Sequence, residues 1–195
     1  MGRKRIVTLA VVVVMGIAGS ALAPDQASAD HLNFSHWGHG YRPWVSAPDS
    51  SLWRFTSEGE WGWSVNGYPN GFCTSTCAPN VPCDLQMHRG GIVVCKVPKS
   101  QLPQPSGCNN NCIGLTDYRL IYDPNAHLDS VYIRLCSDCG LTDYQFQANT
   151  NHEYGHALGQ NHTATYPCVM QQGLITKYQC AHERDVMAWA YQPHD

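Results

Sequence analysis

The pattern of apolar and polar positions changes several times along the chain, and each change predicts a different element. Residues 6 to 23 form an apolar stretch that includes Val11, Val12, Val13 and Val14. From Asp30 to about Asn80 no period holds: Trp37, Trp44, Trp53, Trp61 and Trp63 are scattered among Gly, Ser and Pro, and no element is assigned there. These aromatics read as core and groove packing. The β-branched run Ile92-Val93-Val94-Cys95-Lys96-Val97 predicts a strand within Gly91 to Pro98. Tyr118 to Tyr122 and Val131 to Leu135 predict two more, the second alternating Val131, Ile133 and Leu135 with Tyr132 and Arg134. Asp123-Pro124-Asn125 supplies a turn between them, which makes them candidates for neighbours in one sheet. Beyond Cys139 the pattern becomes helical. Thr142 and Gln145 have capping-box spacing, and the helix they open extends to Leu158 through the weak helix formers Asn149, Thr150 and Asn151.

The apolar N-terminal stretch is preceded by Arg3, Lys4 and Arg5 and followed by Ala27-Ser28-Ala29. Basic head, apolar middle and small-residue end make residues 1–29 a secretory signal peptide, cut before Asp30. The stretch is close to membrane-spanning length, so an uncleaved anchor is the alternative, disfavoured by Pro24 and the small-residue site. Residues 30–195 then form a single domain. Without Arg3, Lys4, Arg5 and Asp25 the chain keeps 9 basic and 14 acidic side chains, a net charge of −5. That balance gives no footing for nucleic acid or an anionic membrane as a partner. A secreted monomer without stable membrane association after signal cleavage is expected.

Ten cysteines, all beyond residue 72, read in an exported chain as up to five disulfides. Cys168 and Cys180 flank one loop and are the pair expected first. Cys136-Ser-Asp-Cys139 has the spacing of a redox pair at a helix start, but among so many cysteines structural pairing is the stronger reading. His31, His36 and His39, near the new terminus, read as solvated polar residues.

The densest chemistry lies in the eleven residues from His152 to His162, His-Glu-Tyr-Gly-His-Ala-Leu-Gly-Gln-Asn-His. On a helix, positions four apart differ by about 40° and one turn of rise, so His152 and His156 project from one face. Gly159 can adopt the left-handed conformation that ends a helix and turns the chain back, which lets His162 close the set. Three neutral imidazoles leave a zinc ion its full charge and one open position. Glu153 stands beside that face and is not needed as a ligand, which frees it to act as a base.

These residues resemble the metzincin zinc metalloproteases, and Gly155, Leu158 and Thr163 bring the match nearest to the matrixin-like branch. The resemblance implies an α+β fold: a small twisted mixed sheet, a zinc-bearing active-site helix, a Met-turn and a C-terminal helix, cross-linked by disulfides. It implies His152, His156 and His162 as zinc ligands, Glu153 as general base, Met170 (with Met187 as second candidate) in the turn under the metal, and a closing helix from Asp185 to Tyr191 with Val186, Met187 and Tyr191 inward. The family's Pro and Tyr after the turn methionine are replaced by Gln171, Gln172 and Gly173, so its substrate preference does not transfer. No inhibitory cysteine segment is present, and calcium, common in the family, has no clear loop motif here and stays open. The implied activity is that of a secreted zinc endopeptidase acting on protein or peptide substrates. A cell-wall peptide amidase with the same zinc chemistry, and a non-enzymatic secreted binding module stabilised by zinc, are the alternatives; the unliganded Glu153 speaks against the second.

Overall fold

The computed structural model describes residues 36–38, 43–63, 83, 89–103, 112–121, 127–163, 167–171, 173 and 176–191. The expected signal peptide, His31 and His39, the Asp123–Asn125 turn and Gln172 lie outside them. In chain order the elements are β1 (Trp44–Ser46), α1 (Trp53–Trp63), β2 (Gly91–Val97), β3 (Gly114–Leu120), β4 (Leu128–Cys136), α2 (Asp143–Ala157) and α3 (Ala181–Ala190). The strands form one mixed sheet in the order β1-β2-β4-β3, with β1, β2 and β4 parallel and β3 antiparallel to β4. The class is α+β.

Parallel strands covered on both faces need apolar residues at nearly every position, which is what the Ile92 to Val97 run supplies. Ile92 and Val94 of β2 pack with Val131, Ile133 and Leu135 of β4 in the main core. Val93, Cys95 and Tyr132 form a second cluster. β3 begins four residues earlier than its apolar pattern predicts, at Gly114 rather than Tyr118. Its first half is specified by polar partners instead: Thr116 donates to Glu153 of α2, and Asp117 pairs with Arg134 of β4.

Two elements fall in the aromatic region where no period was visible. The strand β1 has only three residues. Helix α1 buries Phe55, Thr56, Gly59 and Trp63, so half of its inward positions are not large and apolar. Gly59 has a steric reason, since a Cβ there would stand 2.9 Å from Cδ2 of Tyr154 in α2. Trp63 is fully buried and donates its indole N–H to Asn151 O at 2.8 Å.

Helix α2 opens where expected. Thr142 accepts from Gln145 N, and Gln145 Oε1 accepts from Thr142 N at 3.0 Å, completing the capping box. The weak helix formers in its middle are used as connectors. Asn149 Nδ2 donates to Ile113 O, Asn151 Nδ2 to Lys177 O, and Thr150 Oγ1 to Phe146 O. Gln147 Nε2 donates to Phe55 O and to Asn151 Oδ1. Tertiary partners thus outweigh propensity.

Three disulfides have both ends among the described residues: Cys83–Cys95, Cys136–Cys139 and Cys168–Cys180. The last is the pairing expected from the sequence. No helix among the described residues is long and apolar enough to cross a membrane. His36 departs from its solvated reading: it is half-buried, its Nδ1 donates to Trp37 O at 2.7 Å, and its ring meets Tyr191 edge-on. The closing helix starts at Ala181, four residues before the expected Asp185; Met187 and Tyr191 are buried and Val186 is half-buried.

Two stability predictions follow from the packing around α2. A Cβ at Gly155 would overlap Met170 Sδ and stand 2.8 Å from Trp63 Cζ2. Gly155→Ala is therefore expected to lower the urea midpoint, overpacking at about 1–3 kcal/mol outweighing a helix gain of up to about 1 kcal/mol. Burial pushes the carboxyl of Glu60 up to about 7, against a hydrogen bond with Tyr154. A folded pKa raised above the unfolded value means stability present at low pH and lost as pH rises through about 7. Glu60→Gln has no such loss, so its stability relative to wild type should climb between pH 5 and pH 8; a pH-independent difference would contradict this.

Candidate metal centre

His152 and His156 project from the last two turns of α2. The helix then stops at Gly159, whose φ of 95° is open to glycine and strained for other residues. The chain reverses there, with Gly159 N donating to His156 O and Gln160 N to Gly155 O. That reversal carries His162 back to the other two rings. Nε2 of His152 lies 3.1 Å from Nε2 of His162, and Nε2 of His156 lies 3.2 Å from each of the others.

The protonation states follow from the far sides of two rings. Nδ1 of His152 lies 2.7 Å from Val169 O, and Nδ1 of His156 lies 2.7 Å from Gln160 O. A carbonyl only accepts, so both Nδ1 atoms carry the proton and both Nε2 atoms are bare lone pairs. Bare Nε2 atoms 3.2 Å apart cannot hydrogen-bond to each other. Together they could hold a metal ion. Tetrahedral zinc with bonds of about 2.05 Å separates its ligand atoms by about 3.3 Å, close to the triangle seen here. The donor set also fits, since neutral imidazole is a preferred zinc ligand. Burial holds His152 down to about 4, helped by the neighbouring His162 and opposed by the bond to Val169. Burial likewise lowers His156 and His162. The rings are thus held in the neutral form that a metal needs.

Glu153 is 5% exposed, so nearly all of its carboxyl group is out of water. Its Oε2 accepts from Thr116 Oγ1 at 2.6 Å. Its Oε1 lies 2.5 Å from where a Cβ would stand at Gly114, so a side chain at that position would displace the carboxylate. Burial raises Glu153 to about 7, with the Thr116 bond opposing and the charge of Asp117 adding. Met170 sits in a turn that Gln171 N closes onto Cys168 O, fully buried against Gly155.

Two other groups have metal-like composition, Cys136-Asp138-Cys139 and Cys168-Cys180-Glu183. Their thiols are joined in disulfides, so among the described residues the three histidines are the group with donors to give. The sequence brought His152, Glu153, His156 and His162 forward; the structure collects the three rings, and holds the carboxylate of Glu153, next in sequence to His152, against Thr116 of β3. It did not bring forward Thr116, Gly114, Val169, Gln160 or Glu183. Thr116 lies 37 residues from Glu153, and Val169 and Gln160 act through backbone carbonyls, which leave no mark in side-chain identity. No family model and no curated protein matches the chain.

Zinc, or cobalt(II) as a spectroscopic stand-in, is expected to bind one ion per chain in the wild type and, with similar affinity, in Glu153→Ala. His156→Ala should lose affinity by at least about 100-fold. Equilibrium dialysis showing equal uptake by wild type and His156→Ala would remove the site.

Proposed function

We propose that the chain is a secreted zinc endopeptidase of metzincin type, in which His152, His156 and His162 hold the metal and Glu153 is the general base. The observation that carries this reading is the meeting of the bare Nε2 atoms of His152 and His156 with Nε2 of His162, with Glu153, next in sequence to His152, buried. A zinc ion held by three neutral imidazoles supplies Lewis-acid activation of a water nucleophile and of the scissile carbonyl. Glu153 moves the proton. One of its carboxylate oxygens takes the proton as water attacks the carbonyl carbon, then returns it to the departing amine nitrogen as the C–N bond breaks. Thr116 and Gly114 keep that carboxylate in place from the side of β3.

The sheet supports an extended substrate. Strand β3 has β4 as its one strand neighbour in the described sheet, so its outer edge is open to an added strand. Because Thr116 lies mid-strand and bonds Glu153, a peptide paired along that edge passes the carboxylate. The disulfides suit an oxidising, extracellular setting.

The test is cleavage of a mixed peptide pool, read by mass spectrometry, beside intact peptidoglycan. Glu153→Ala should keep zinc and lose about 100- to 10,000-fold in kcat/KM. Excess chelator should abolish cleavage, and added zinc should restore it. Full activity in excess chelator, or in Glu153→Ala, would sink the proposal; release of cell-wall peptides with no cleavage of the pool would move the same chemistry to an amidase.

A further inference from the structure

Behind the imidazoles lies a carboxylate for which the hydrolytic chemistry has no use. Glu183 belongs to the first turn of α3 and is 2% exposed, a degree of burial that a carboxylate tolerates only when its oxygens are filled. They are filled by backbone. Oε1 accepts from Met170 N at 2.7 Å, and Oε2 accepts from Cys180 N at 3.0 Å and from Val169 N at 3.3 Å. The bond to Cys180 caps α3 itself. The other two hold the turn whose Val169 carbonyl binds His152.

The connections are continuous. Met170 N and Val169 O belong to one peptide group, so an unbroken chain runs from Glu183 Oε1 through that peptide to Nδ1 of His152, with both hydrogen bonds at 2.7 Å. Met170 O accepts from Thr163 N at 3.0 Å, which fixes the backbone directly after His162. Glu183 O accepts from Gln160 Nε2 at 2.8 Å, and Gln160 O holds Nδ1 of His156. One residue therefore stands behind the anchors of all three rings.

We infer that Glu183 is a positioning residue for the metal centre, acting on His152 through the Val169–Met170 peptide, on His156 through Gln160 and on His162 through Met170. The inference rests on the metal-site reading above. A charged acceptor polarises the peptide it binds, which makes the carbonyl at the other end a stronger acceptor for the imidazole. The arrangement is a carboxylate–histidine–metal triad with a peptide group inserted, and it sets ring orientation and ligand basicity by the same physics. The disulfide Cys168–Cys180 joins the residue before the turn to the residue before α3, so the carboxylate and the amides it binds stay in register.

The experiment is zinc affinity by competition with a chromophoric chelator, together with the visible spectrum of the cobalt(II) form. Glu183→Gln keeps the volume but presents an N–H to an N–H, and its affinity should fall by about 10- to 100-fold with a shifted cobalt spectrum. Val45→Ala, in β1 at the sheet edge opposite β3, serves as a destabilised control whose affinity should hold. Affinity in Glu183→Gln within twofold of wild type, or a loss matched by Val45→Ala, overturns the inference. If Glu183→Gln does not fold, Glu183→Asp carries the test: it keeps the charge but draws the carboxylate back from Met170 N, a loss of about 10-fold is expected, and unchanged affinity overturns the inference. Wild-type protein that takes up no zinc fails the metal-site reading itself, which separates that failure from this one.

Discussion

Two unprotonated nitrogens, Nε2 of His152 and Nε2 of His156, lie 3.2 Å apart with their lone pairs toward one point. Without a cation this proximity is repulsive, and the site exists only because the surrounding structure holds it. Helix geometry sets the spacing of the two rings, but a ring can still rotate about its side-chain bonds. The carbonyls of Val169 and Gln160 remove that freedom by binding each Nδ1–H at 2.7 Å. Burial does the rest, since a ring that has left water resists protonation and cannot escape the repulsion by taking up a proton.

A site of this kind must sit on an element that does not move, and α2 is fixed at the end where the histidines lie. The last carbonyls of a helix lack intrahelical partners. Here Trp37 Nε1 donates to Ala157 O at 3.0 Å, Tyr191 OH donates to Leu158 O at 2.9 Å, and the Gly159 turn fills His156 O and Gly155 O. Trp37 and Tyr191 come from opposite ends of the described chain, and Trp37 N also donates to Tyr191 OH. The two ends of the described chain thus meet on the helix terminus that carries His152 and His156. The buried amides of the preceding turns act likewise, tying α2 to the first turn of α1 and to the segments around Ile113 and Lys177.

What was legible in the sequence is what is local. The capping box at Thr142, the stop at Gly159, the apolar run of β2, the alternation in β4 and the three histidines are each encoded within a few residues of where they act. The Cys168–Cys180 pair could be proposed because its loop is short. What was not legible depends on partners far along the chain. Helix α1 was hidden because Gly59 and Thr56 take inward positions, the glycine for close approach to Tyr154. The start of β3 was hidden because ionic and hydroxyl partners, rather than apolar spacing, specify Thr116 and Asp117. Glu183 falls before Asp185, where the closing helix was expected to begin; only the fold shows that it belongs to that helix and is buried beneath a turn.

The distribution of anchors bears on how much sequence such a centre requires. Two of the three imidazoles are oriented by backbone carbonyls, and the third is placed by a backbone N–H to Met170 O, so none of the immediate contacts specifies a side chain. Any sequence that folds the turn and the helix end into these positions satisfies them. Side-chain identity matters one step further out: at Glu183, which holds the turn by its amides; at Gly155, where a larger residue would collide with Met170; and at Gly114 and Thr116, which hold Glu153. Apart from the three histidines and Glu153, the site constrains the chain at a few scattered positions. A metal centre built this way makes a compact local motif and leaves most of the domain free to be encoded in many ways.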